Sequence, residues 1–143
     1  PHARGVVAAR AAARLARFVT VGLAETDLSL PQYRLLAFLD DGGTAHADLA
    51  QLLTVSSPSV TALVDGLVAR DYVERRKDPE DGRRIDFLLT SDGHDALEAA
   101  DNAVVACLTE LGTHLGEEEA ETAVRGLELA DEAIRRHREA GGR

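Results

Sequence analysis

The stretch from Val55 to Leu89, VSSPSVTALVDGLVARDYVERRKDPEDGRRIDFLL, limits what this chain can become more than any other. Ser57 is a natural N-cap, and Pro58 suits the first helical position, where a missing N–H is harmless. Apolar residues follow at Val60, Leu63, Val64, Leu67 and Val68, the spacing of one buried helical face. The opposite face holds Ser59, Thr61, Ala62, Asp65 and Gly66, whose side chains are short or absent. Such a face can lie close against another surface.

After Arg70 and Asp71 the pattern changes. Tyr72 to Arg76 and Ile85 to Leu89 are short β-rich runs around Asp78-Pro79-Glu80-Asp81-Gly82, which predicts a hairpin. Upstream, Ser29 stands three residues before Gln32, the spacing of a capping box, and opens a helix to about Leu39. Leu35, Leu36, Phe38 and Leu39 turn to its core side, and Asp40-Asp41-Gly42-Gly43 ends it. Ala47 to Leu53 reads as a short helix with Leu49, Leu52 and Leu53 apolar, and Thr54-Val55-Ser56 as the turn into the next. Two short helices with a tight turn, then an arginine-tipped hairpin, make a winged helix-turn-helix over about residues 30–90.

SPSVTALVDGLVARDYVERRKDPEDGRR, followed by a strand and LTSDGHDAL, resembles the MarR family of bacterial transcription regulators. The resemblance runs from the LSLPQYRLLAFL helix to the two C-terminal helices. Asp78 to Arg83, D-P-E-D-G-R, is similar to the family's wing signature D-x-R-D-x-R, with Glu80 where the first arginine usually stands. The resemblance implies a mainly α fold with a small β-hairpin, flanked by N- and C-terminal dimerisation helices. It implies a homodimer on double-stranded DNA with an inverted-repeat operator, acting in the cytoplasm as a repressor released by a small aromatic or phenolic effector. The DNA-binding residues would be Ser56, Ser57, Pro58, Ser59, Thr61 and Ala62 on the recognition helix, with Arg75, Arg76, Lys77, Arg83 and Arg84 on the wing. Arg83 would enter the minor groove, where arginine is favoured by narrow A·T tracts. The effector would bind between the dimer helices and the winged domain, near the first helix and Tyr33.

The flanking segments are read from periodicity. Val6 to about Leu23 predicts a first helix, with Arg10, Arg14 and Arg17 as a solvated face or as partners for acidic helices downstream. Thr90 or Ser91 caps a long helix with an apolar stripe of Ala96, Leu97, Ala100, Val104, Leu108, Leu111 and Leu115, stopped by Gly116. Glu117 to Glu119 open the last helix, with acids suited to its N-terminal dipole. Its stripe is Ala120, Ala123, Val124, Leu127, Ala130 and Ile134. The stripes are expected to lie outside the winged domain's core and to find a second copy. The dimer module is thus expected at about residues 5–24 and 91–139 of a single domain spanning 1–143.

A net charge of −9 opposes DNA binding only if it is uniform. From Arg70 to Arg84 six cations face five anions, whereas from Ser91 onward thirteen acids face five arginines. The acid therefore gathers at the C-terminal end, away from the wing. No apolar run approaches the ~20 residues a membrane helix needs. The chain opens on Pro1 rather than Met, so its natural start is expected further upstream. One cysteine, Cys107, excludes an internal disulfide and reads as a packed residue rather than a thiol switch. His2, His46, His94, His114 and His137 are scattered without metal-ligand spacing, and no nucleophile elbow or phosphate loop is present. Neither metal, cofactor nor catalysis is expected. The alternative is a winged-helix module for protein partners: Gly66, where many relatives carry a basic residue, removes one phosphate contact.

Overall fold

The computed structural model describes residues 1–44, 46–53 and 57–141. Its elements are α1 (His2–Leu23), α2 (Leu30–Asp40), α3 (His46–Leu53), α4 (Ser57–Ala69), β1 (Val73–Lys77), β2 (Ile85–Leu89), α5 (Ser91–Gly112) and α6 (Glu117–Glu139). The fold is mainly α with one antiparallel hairpin, paired in the register Val73 to Leu89 and Lys77 to Ile85. The chain divides into two compact units, Pro1–Cys107 and Leu108–Arg143.

In the first unit the core gathers where the periodicity points. Leu35 and Leu36 of α2, Leu49 of α3, and Val60, Val64 and Leu67 of α4 are all buried. Val73 and Phe87 close the core from the hairpin, and Leu23 and Leu28 from the other side. The Ser29 capping box forms as spaced: the Ser29 hydroxyl accepts from Gln32 N–H, and the Gln32 carboxamide oxygen accepts from Ser29 N–H. A contact distant in sequence extends the hairpin: Phe87 N–H donates to the Thr44 carbonyl at 2.9 Å.

The start of α5 is fixed by packing. Thr90, not Ser91, is the cap: its hydroxyl accepts from Gly93 N–H at 3.0 Å and donates to the Asp71 carbonyl. Gly93 is required there, because a Cβ would lie 2.0 Å from the Tyr72 carbonyl oxygen. Leu97, Ala100 and Val104 are buried within this first unit. Val104 lies against Gly22 of α1, so the N-terminal half of the stripe is covered within its own chain.

Two boundaries also differ. Helix α1 begins at His2 instead of Val6, and Gly5 N–H donates to the Pro1 carbonyl at 3.1 Å. Helix α5 ends at Gly112 instead of reaching Gly116, with the Thr113 hydroxyl donating to the Glu110 carbonyl at 2.7 Å. In the second unit Gly116 is the N-cap of α6, and its N–H donates to Glu119. No residue of α6 is buried; Val124, Leu127, Leu129 and Ile134 are all exposed. Among the described residues no helix is long and apolar enough to cross a membrane.

Candidate nucleic-acid interface

Burial of Val60, Val64 and Leu67 fixes the rotation of α4 and turns Pro58, Ser59, Thr61, Ala62 and Asp65 outward, all exposed. Ser56 lies outside the described residues, as do Thr54, Val55 and the side chain of Ser57. The described part of the helix begins at Ser57, so the N-cap expectation for Ser57 lies outside the described residues. Pro58 then sits second, still within the first turn, where N–H groups have no intrahelical partner.

The end of α4 aims the wing. Asp71 takes a left-handed φ of 64°, with its N–H on the Val68 carbonyl and Tyr72 N–H on the Leu67 carbonyl. That pairing is a Schellman stop, with an aspartate in the place glycine usually fills. Behind it, Arg70 and Tyr72 grip Asp27 in the loop before α2. The Arg70 guanidinium lies 2.5 Å from the Asp27 carboxylate and 4.7 Å from the centre of the Tyr72 ring. The Tyr72 hydroxyl donates to the same carboxylate at 2.9 Å. Burial opposes ionisation of Asp27, but the Tyr72 and Arg70 hydrogen bonds outweigh it and hold its carboxyl below the usual range. Sequence reading missed this clamp, because nothing local marks Asp27 as a partner for residues so far along the chain.

The wing's turn is organised by two aspartates. The Asp78 carboxylate accepts from the N–H groups of Glu80 and Asp81, which hold its carboxyl below the ordinary value. The Asp81 carboxylate accepts from Arg83 N–H at 3.1 Å. Asp81 therefore fixes where Arg83 leaves the chain, not where its guanidinium points.

The five wing cations divide into two kinds. Arg75 pairs with Asp65 of α4, Arg76 with Glu74 at 2.9 Å, and Arg84 with Asp86 at 3.0 Å. Lys77 and Arg83 have no ion pair among the described residues, and both are exposed. Between α4 and the hairpin lies a cleft of about 230 Å³ lined by Thr61, Asp65, Arg75, Arg83 and Phe87, among others. The structure therefore brings Thr61 of α4 together with Arg75 and Arg83 of the wing. A second cleft of about 550 Å³ is rimmed by Glu25, Asp27, Asp92 and Asp95. Among the described residues no group of three His, Cys, Asp or Glu could hold a metal ion.

The comparisons with known proteins match this geometry. A family model described as the MarR family covers residues 26–84, from the Asp27 clamp to the end of the wing turn. Over those residues, fewer than half of the chain, the winged helix-turn-helix is similar to the MarR family. That family comprises transcription regulators, not enzymes. A MarR-type fold extends well beyond it: a cysteine-to-serine mutant of MarR from E. coli superposes with a TM-score of 0.79 at 23% identity, over 88% of this chain and 94% of that one. The transcriptional repressor CouR bound to a 23-mer DNA duplex gives a TM-score of 0.72 at 24% identity, over 89% and 91% of the two chains. At such identities the likeness is one of fold. The HTH-type transcriptional repressor YetL of Bacillus subtilis (strain 168) is 34% identical over 74 residues, which span 50% of this chain and 44% of that relative.

Proposed function

We propose that this chain is a dimeric, sequence-specific DNA-binding repressor, with α4 in the major groove and Arg83 of the wing in the minor groove. The observation that carries this reading is the joint presentation of an exposed, short-side-chained helix face and a basic wing across one cleft. Pro58, Ser59, Thr61 and Ala62, preceded by Ser56 and Ser57, would meet bases and phosphates of an inverted-repeat operator. Arg75, Arg76, Lys77 and Arg84 would follow the backbone. The MarR-family match and the DNA-bound CouR support the same assignment.

The second copy is assigned to α1, α6 and the end of α5, about residues 5–24 and 91–139. The exposed Val124, Leu127 and Ile134 of α6 recur on one helical face without a covering residue in their own unit, which supports that assignment. For the effector, four carboxylates rim the 550 Å³ cleft and would repel an aromatic acid while accepting a phenol hydroxyl. The phenolic class is therefore the one we assign, acting on the cytoplasmic repressor–DNA complex.

The deciding experiment is selection of duplexes from a random pool, followed by gel shifts at two salt concentrations. An enriched inverted repeat bound with salt-dependent affinity is the expected result. A pool that enriches no sequence would favour the protein-interaction module, a reading the net charge of −9 and the three self-paired arginines also support.

A further inference from the structure

Asp65 is an acid on the face of α4 proposed to approach DNA, where it should repel phosphates. Its contact suggests why it stands there. The Asp65 carboxylate accepts a hydrogen bond from one terminal nitrogen of Arg75, ten residues along and on β1. Arg75 lies opposite Phe87 in the hairpin register, and both residues line the cleft against α4. The arginine therefore bridges the helix and the wing at the seam between them. Both side chains are about half exposed, at 44% for Arg75 and 54% for Asp65, so the seam is open to a ligand.

A guanidinium carries five N–H donors in a rigid fork. Asp65 engages Nη2 and leaves Nε and Nη1 without a described partner. We propose that Asp65 is a positioning residue, which holds Arg75 so that its remaining donors face a phosphate of the bound duplex, between the base-reading helix and the wing. The inference rests on the DNA-binding reading above. It gives Asp65 a role opposite to the repulsion its charge alone would produce. An unheld arginine would still attract phosphates, but with no preferred register, because long flexible cations bind as mobile charges.

The test compares three variants on a duplex selected from a random pool by the unaltered chain, with an unrelated duplex of equal length as reference. Asp65→Ala and Asp65→Asn remove the same negative charge, but asparagine keeps an oxygen that can accept from Arg75. Simple repulsion predicts that both bind every duplex more tightly, and by the same factor. Positioning predicts that Asp65→Ala loses roughly fivefold to tenfold on the selected duplex, the scale of one charge-assisted hydrogen bond. Asp65→Asn should remain within about twofold of the unaltered chain, and neither variant should weaken on the unrelated duplex. In an Arg75→Ala background, Asp65→Ala should cause no further loss. Equal gains for both variants, or an undiminished loss without Arg75, would overturn the proposal alone. A selection that enriches no sequence would overturn the DNA-binding reading, and this inference with it. Thermal melts of each variant show whether a loss reflects unfolding, and the Asp65→Asn comparison stands regardless of the alanine variant's stability.

Discussion

The Tyr33 hydroxyl donates to the Asp101 carboxylate at 2.6 Å, joining α2 to α5 across 68 positions of sequence. Tyr33 Oη is a neutral donor to a charged acceptor, so ionising it would set two negative charges against each other. Its burial, and then the Asp101 hydrogen bond, push the phenol well above its usual range. Tyr72 is raised in the same direction, chiefly by its hydrogen bond to Asp27.

These are the chain's two tyrosines, so alkaline titration reads them without interference. Both are raised in the folded state, so their stabilisation is complete below the unfolded value of about 10 and is lost as pH rises through the folded values. Tyrosinate absorbance should therefore lag behind that of the urea-unfolded chain and then appear together with unfolding. Coincident folded and unfolded titration curves would refute both hydrogen bonds. Tyr33→Phe should lower stability at neutral pH by about 1 kcal/mol, measured by urea denaturation.

Two glycines in helices should respond with opposite signs. A Cβ at Gly93 would lie 2.0 Å from the Tyr72 carbonyl, where backbone atoms of both elements must move to make room. Gly93→Ala should destabilise by about 1–3 kcal/mol or more. At Gly66 a Cβ meets nothing within 4 Å, and the residue lies well inside α4. Gly66→Ala should stabilise by roughly 0.5–1 kcal/mol through the helix alone. Denaturation midpoints that move in the same direction would contradict this account.

Much of the winged unit was readable because its signals are local. Ser29 and Gln32 are three apart, the α4 stripe repeats every three or four residues, and Asp78 caps its own turn. What could not be read depends on meetings between distant segments. Asp27 with Tyr72, Asp65 with Arg75 and Thr44 with Phe87 each need the tertiary fold before either partner has meaning. The end of α5 was misplaced for a related reason: Gly112 and Gly116 are equivalent as stop signals, and the choice falls to the Thr113 and Glu119 side chains. The proposed interface itself was read by resemblance, and composition argued partly against it.

If α6 meets a second copy, Leu127→Glu separates assembly from folding. Leu127 is 46% exposed within its own chain, so the charge disturbs little there. At a covered apolar contact the same carboxylate would cost several kcal/mol of association. Light scattering should show a dimer for the unaltered chain and a monomer for the variant, with unchanged helical circular dichroism. A monomeric unaltered chain at micromolar concentration would remove the dimer proposal.

The wing arginines should not be equal. Arg84 already donates to Asp86 at 3.0 Å, so a phosphate must compete with that carboxylate, and the net gain on binding is reduced. Arg83 has no such competitor among the described residues, and Asp81 fixes its backbone at the tip. Arg83→Ala should weaken binding to the selected duplex by about 1–3 kcal/mol per contact, and should flatten the slope of log K against log salt by roughly one unit per protomer. Arg84→Ala should lose less and change the slope less, since Asp86 already balances the Arg84 charge in the free protein. Equal losses at the two positions would mean that DNA draws Arg84 off its partner. No loss at Arg83 would mean that the tip of the wing stays clear of the duplex.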